Sequence, residues 1–176
     1  MKKFEFKSLD ETLKLKSEKD LNYSDLLSTT EWRVFRSSII KRDNGKCQKC
    51  GEIPNELAWE LKGDFYVRQA TDDEKELLGY GVIYSSKKVT LNVHHKYYIK
   101  NKYPWQYKLE ALITVCSDCH LKIHQVEDIL IYDNESFENP EVVERCLKCS
   151  GTGYIEQYNY FMDGICFECN GKGILE

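Results

Sequence analysis

The chemistry open to this chain sits in twelve side chains, four histidines and eight cysteines. The histidines are His94, His95, His120 and His124. They fall in two segments, Leu91-Asn-Val-His-His95 and Cys116-Ser-Asp-Cys-His-Leu-Lys-Ile-His124. Two adjacent imidazoles and a second pair spaced four apart form a metal-site arrangement, because a neutral imidazole is both a cation ligand and a base near pH 7. The cysteines form four Cys-x-x-Cys pairs with none left over, at 47/50, 116/119, 146/149 and 166/169. Two thiolates separated by two residues can face one metal, so four such pairs indicate two four-cysteine zinc sites.

The pairing of these pairs follows from the pattern. Cys146-Leu-Lys-Cys149-Ser-Gly-Thr-Gly153 is echoed by Cys166-Phe-Glu-Cys169-Asn-Gly-Lys-Gly173, an internal repeat that joins Cys146 and Cys149 to Cys166 and Cys169. Elimination then joins Cys47 and Cys50 to Cys116 and Cys119. Cys116-Ser-Asp-Cys-His120 also fits covalent haem attachment, but that chemistry needs export, and the N-terminus lacks the apolar core of a signal peptide. A thioredoxin-like redox role has little support when four pairs stand in register.

Several elements must position these groups. Thr29–Arg42 reads as a helix with a Thr cap, with Trp32, Phe35 and Ile39 on its apolar stripe and Asp43-Asn-Gly45 as its stop. Cys47-Gln-Lys-Cys50-Gly51 then makes a zinc-knuckle turn. Residues 52–88 read as an insertion, with a strand over 64–68, a helix capped by Thr71 and Glu74, and a strand over 82–84. Val89–His95 alternates as a strand, which puts His94 and His95 on opposite sides of the backbone. Lys96–Gln106 is a basic, aromatic loop. Leu112–Cys116 is a second strand. Ser117 or Asp118 can cap a helix running through about Leu130, on which His120 and His124 share a face. An acidic linker over 132–145 leads to the repeat, whose two copies flank an expected β-hairpin around Met162-Asp-Gly164. Leu9 and Leu13 suggest a marginal helix in the first 28 residues, and Phe4 and Phe6 a short edge strand.

Net charge is −4, yet the charge is uneven. Residues 31–50 carry six Lys/Arg against two acids, and 87–108 carry six Lys and no acid. Residues 125–176 carry three basic residues against eleven acids. The basic excess lies beside the histidines, where a phosphate backbone would lie, and Lys96, Lys100, Lys102, Arg36 and Arg42 are its candidate contacts. Tyr97, Tyr103 and Trp105 either stack on bases or pack the loop. The apolar runs are too short for a transmembrane helix, and reduced cysteines used as ligands fit a cytoplasmic protein.

The order strand, His-His, basic loop, strand, Cys-x-x-Cys-His-x-x-x-His on a helix resembles the HNH endonuclease family, in the bacterial and phage type braced by two Cys-x-x-Cys pairs. The resemblance covers roughly residues 29–131. It implies a ββα-metal fold and a metal-dependent endonuclease that hydrolyses DNA phosphodiester bonds. It further implies His95 as the general base, His94 and His120 as ligands of a catalytic divalent metal (Mg2+, Mn2+, Ni2+ or Zn2+), and His124 as a ligand of the metal or of the scissile phosphate. The family's middle Asn has no match here. Its place falls at Glu110 or Ala111, and of these only Glu110 could orient an imidazole. The C-terminal repeat resembles the cysteine-rich zinc domain of DnaJ-type co-chaperones in a two-repeat form.

The expectation is therefore an α+β chain. Residues 1–28 form an N-terminal extension, 29–131 a small ββα-metal nuclease core with a four-cysteine zinc knuckle, and 146–176 a zinc-bound β-hairpin module after the 132–145 linker. Its cofactors are two structural Zn2+ and one catalytic divalent metal. Its expected partners are DNA and a protein contacted through residues 132–176, with no membrane. The alternatives are a non-catalytic zinc-stabilised module that binds DNA or protein, and a co-chaperone or redox protein suggested by the repeat.

Overall fold

The computed structural model describes residues 6–58, 65–158, 160–161 and 164–175, a mixed α+β chain. Helix α1 (Leu9–Leu13) is closed by a reciprocal capping box between Ser8 and Glu11, and α2 (Tyr23–Leu27) by one between Asn22 and Asp25. Such boxes satisfy N–H groups that so short a helix cannot satisfy itself. Of the expected edge strand, Phe4 lies outside the described residues, and the neighbouring segment makes one bridge, Lys7 with Thr29.

Helix α3 (Thr30–Arg42) has the expected threonine cap, supplied by Thr29, whose hydroxyl accepts from the Trp32 N–H at 3.3 Å. Trp32 and Ile39 are buried and Phe35 packs beside them. The helix stops where Asn44 and Gly45 take positive φ, and Gly51 does the same behind the first knuckle.

The 52–88 stretch forms its own antiparallel sheet of β1 (Glu56–Leu57), β2 (Tyr66–Gln69) and β3 (Val82–Ser85). Asp64, expected to open the second of these strands, lies outside the described residues. Helix α4 (Asp72–Leu78) carries the Thr71–Glu74 capping box and ends on left-handed Gly79.

Strand β4 (Leu91–His95) is followed by the short β5 (Tyr98–Ile99), and β4 pairs antiparallel with β6 (Leu112–Cys116), in the register Leu91 with Cys116 and His95 with Leu112. Helix α5 (Ser117–Val126) follows at once and packs on that pair. Its N-cap is Cys116, with no side-chain cap bond, rather than Ser117 or Asp118. It also stops four residues short of the expected end. Ile129-Leu-Ile-Tyr132, β-branched and aromatic, forms strand β7 instead. That strand pairs parallel with β5 and antiparallel with β8 (Glu141–Val143). The stretch expected as a linker thus contributes β8, the strand beyond β7, while β7 itself lies against β5 of the basic loop.

Between the copies of the C-terminal repeat, where the hairpin is expected, the described residues form a 3-10 turn (Glu156–Tyr158) and one bridge, Tyr154 with Ile165, while Met162 and Asp163 lie outside the described residues. The Cys146 N–H donates to the Gly173 carbonyl and the Cys166 N–H to the Gly153 carbonyl, both at 2.8 Å, so the two copies clasp each other directly. Among the described residues no helix is long and apolar enough to cross a membrane.

Candidate metal centre

Among the described residues, three clusters of metal-ligating side chains form. In each, the ligand atoms lie within 4.8 Å of one another. Two are the four-cysteine sets in the pairing expected, and both could hold a structural zinc.

The first set joins the knuckle after α3 (Cys47, Cys50) to the start of α5 (Cys116, Cys119). Cys50 Sγ and Cys116 Sγ are 3.7 Å apart. Burial opposes ionisation of Cys47, but backbone N–H bonds from Cys116, Cys50 and Lys49 outweigh it and bring the thiol down to about 7. Burial and the neighbouring thiols push Cys116 and Cys119 up, Cys119 to about 11. A divalent cation removes that conflict by stabilising every thiolate at once.

In the second set Cys146, Cys149, Cys166 and Cys169 are all buried. The Gly153 N–H points at Cys149 Sγ and the Gly173 N–H at Cys169 Sγ, each at 3.2 Å. These donors favour thiolate. The glycines are required by contact as well, since a Cβ on Gly173 would lie 2.2 Å from the Gly151 carbonyl oxygen.

The third cluster is His94 from β4 with His120 and His124 from α5. The one-turn spacing sets the two helical rings edge-to-face, 4.7 Å between centroids, with Nε2 atoms 3.2 Å apart. The His94 ring approaches them edge-on, 5.2 and 4.9 Å between centroids. The three rings are at most 7% exposed, so they meet a ligand already stripped of most water. Burial, then the neighbouring His124 and His95, holds His94 down at about 3. Burial also lowers His120, and holds His124 at about 4 with help from Arg145. All three are therefore neutral near pH 7, the ligand form of imidazole. His94 Nδ1 is buried without a hydrogen-bond partner among the described residues. An orphaned ring nitrogen beside two other imidazoles is what a cation ligand looks like, and the donor set suits a divalent transition metal.

His95 points the other way, as strand alternation requires. Its ring stacks on Trp32 at 5.5 Å and meets Tyr107 edge-on at 4.7 Å. Its Nε2 lies 2.9 Å from the Pro104 carbonyl oxygen. A carbonyl only accepts, so Nε2 carries the hydrogen and Nδ1 keeps the lone pair. Burial lowers His95 to about 4, partly offset by that bond.

Glu110 is not the partner of His95. It sits exposed on a 3-10 turn, Leu109–Ala111, and its backbone carbonyl accepts from Lys96 Nζ at 2.7 Å. The orienting acceptor is the Pro104 carbonyl, a backbone group that residue type does not announce. Pro104 is buried, and the loop folds back to bring it to the imidazole.

The candidate phosphate contacts are largely engaged within the chain. Lys100 pairs with Asp133 at 3.0 Å and Glu141 at 3.3 Å, and Lys102 pairs with Glu135. Arg42 holds Asp43 and the carbonyls of Leu109 and Leu112, and Arg36 donates to the Leu91 carbonyl. Tyr97 packs on Tyr107, Tyr132 and Phe137, and Tyr103 on Trp105, so these rings build the loop.

A cavity of about 500 Å³ opens beside the centre. His94, His95 and His120 line it together with Trp32 and Arg36 of α3, and Thr152, Gly153 and Tyr154 of the C-terminal module line it too. That proximity had no sequence signal. Neither the chain nor any part of it matches a protein-family model, and no curated protein or solved structure matches it.

Proposed function

We propose that the chain is a metal-dependent endonuclease hydrolysing phosphodiester bonds. The observation that carries this reading is the division of labour on β4. His94 joins His120 and His124 in one cluster, while His95, next in the chain, sets its Nε2 on the Pro104 carbonyl and lines the same cavity. The antiparallel pair β4–β6 followed by α5 also agrees with the HNH resemblance.

In this reading His94, His120 and His124 hold a divalent metal, which when bound neutralises charge on the phosphate and the leaving oxygen. His95 Nδ1 takes a proton from a water as that water attacks phosphorus and the P–O ester bond breaks. The Pro104 carbonyl keeps the ring in the correct tautomer and faces the N–H whose charge grows as the ring is protonated. Trp32 and Tyr107 fix the ring plane. General-base assistance of this kind contributes ~10²–10⁴-fold. The four-cysteine sites are scaffolding in this account.

The test is cleavage of supercoiled plasmid by purified protein with Mg2+, Mn2+ or Ni2+. His95→Ala should lose about 10² or more in rate while metal binding persists. His94→Ala should lose the metal itself, read by titration calorimetry. Robust cleavage by His95→Ala would remove the assignment of the base. A second reading, a zinc-stabilised binding module without catalysis, draws on the intramolecular pairing of Lys100 and Lys102. Tight binding of DNA or of a protein through residues 132–176, with no cleavage under any metal, would favour it.

A further inference from the structure

We infer that the substrate of this site is a single-stranded polynucleotide, threaded between α3 and the C-terminal four-cysteine module. This rests on the nuclease reading and narrows it.

The first observation is the wall. The C-terminal module is fastened beside the histidines at three places. Gly151 lies against His124, where a Cβ would come within 3.3 Å of Nδ1. The Arg145 guanidinium donates to the carbonyls of Gln125 and Glu127 at the end of α5, at 3.0 and 3.2 Å. Gly171 lies against Leu27 of α2, where a Cβ would come within 3.0 Å of Cδ1. The module thereby lines the cavity with Thr152, Gly153 and Tyr154. A space of about 500 Å³ is of the size that holds one small-molecule-sized group. It takes one nucleotide with its phosphate. A duplex must bring its second strand along with each phosphate, and the module stands where that strand would go.

The second observation is charge. Arg33 and Arg36 line the cavity, and among its described lining residues there is no aspartate or glutamate. An anion is favoured there in a chain that is otherwise net acidic. Outside, two lysines of the basic loop are already paired, Lys100 with Asp133 and Glu141 and Lys102 with Glu135.

The third observation is aromatic surface. The half-buried rings of Tyr98 and Tyr154 line the cavity. Unpaired bases stack on such rings irrespective of sequence, whereas paired bases are already stacked within the helix.

The experiment uses the full zinc-loaded chain with Mn2+ and four substrates. They are a single-stranded DNA, an RNA of the same sequence, the fully paired DNA duplex, and bis(p-nitrophenyl) phosphate. One or both single strands should be cut roughly tenfold or more faster than the duplex, the factor that one stacked base would bring. A preference between the two single strands identifies the sugar and keeps the inference. Duplex cleavage at an equal or greater rate overturns the inference and leaves the nuclease reading standing. Hydrolysis of the small diester with no cutting of any polynucleotide also overturns it, while the metal-site chemistry survives. If none of the four is turned over with Mg2+, Mn2+, Ni2+ or Zn2+, both readings fall.

Discussion

The two four-cysteine sites use the same ligands and are built in opposite ways. The first closes over a long separation, with Cys50 and Cys116 66 residues apart, and ties α3 to the strand–helix unit that carries two of the four histidines, His120 and His124. The second closes over a short one, with Cys146 and Cys166 20 residues apart, and is nearly symmetric. In the first, Cys50 is exposed and Cys119 half-buried. In the second all four thiols are buried. The first knuckle leaves open space around Gly51, whereas the second packs glycine against glycine. The first site therefore holds a core together, and the second holds itself together and uses its outer face as a wall.

The largest test of that contrast is loss of one ligand. Structural zinc contributes ~10–16 kcal/mol in apparent terms, at least as much as the ~5–15 kcal/mol that keeps a typical domain folded. Cys116→Ser should therefore unfold β4, β6 and α5 together and abolish metal binding at the histidines. Cys166→Ser should release zinc from the second site and open the C-terminal module, leaving the core transition in place. Near-UV circular dichroism during thermal melting, with zinc content of each variant, separates the two. Equal losses of the core transition would mean that the two sites do the same job.

A smaller effect comes from the glycines. In Gly173→Ala the new Cβ would meet a backbone carbonyl at 2.2 Å, and the residue also sits at positive φ. The two clasped knuckles must part, at a cost of several kcal/mol, on the order of the larger point-mutation effects. In Gly51→Ala positive φ remains but nothing lies within 4 Å, so about 1–2 kcal/mol of conformational penalty is all that is expected. Urea titrations at fixed zinc concentration measure both. A Gly51→Ala loss as large as that of Gly173→Ala would show that the first knuckle is as tightly packed as the second.

The same contrast explains what was legible in the sequence. The second site was legible because its ligands, glycines and repeat lie within one short stretch. The first was reached only by elimination, because nothing local pairs Cys47 with Cys116. The opposite directions of His94 and His95 follow from a two-residue period, and the shared face of His120 and His124 from a helical one. Other features depended on contacts between distant segments. Ile129–Tyr132 is apolar enough to prolong α5, but β5 and β8 offer it a sheet. Residues 132–145 have the composition of a linker, yet their acids find Lys100 and Lys102 in space. The acceptor for His95 is a main-chain oxygen, and the expectation fell on Glu110 because only a side chain can be read from a residue name.

The smallest effect concerns how the first site is pinned to the strand that feeds it. Asp43, expected only as part of the turn after α3, is buried, and its Oδ2 accepts from the Thr114 N–H at 2.8 Å. Its carboxylate also receives the Arg42 guanidinium at 2.8 and 2.9 Å. The Gln48 N–H, inside the knuckle, donates to the Thr114 carbonyl at 2.9 Å. Thr114 thus ties β6 to both ends of the turn that leads into Cys47. Asp43→Ala leaves the Thr114 N–H buried without its acceptor, at a cost of about 1–3 kcal/mol, and Asp43→Asn should cost less because an acceptor oxygen remains. Burial alone would raise the Asp43 carboxyl, but Arg42 and Thr114 outweigh it and hold the value below the ordinary aspartate range. A group with a depressed folded value stabilises above its unfolded value and loses that contribution as pH falls through the folded one. The stability advantage of wild type over Asp43→Asn, measured by denaturant unfolding at matched zinc, should therefore be constant above about pH 5 and shrink once the pH passes below about 4. An advantage independent of pH across that window would mean that the hydrogen bond to Thr114, and not the charge of Asp43, carries the link between the knuckle and β6.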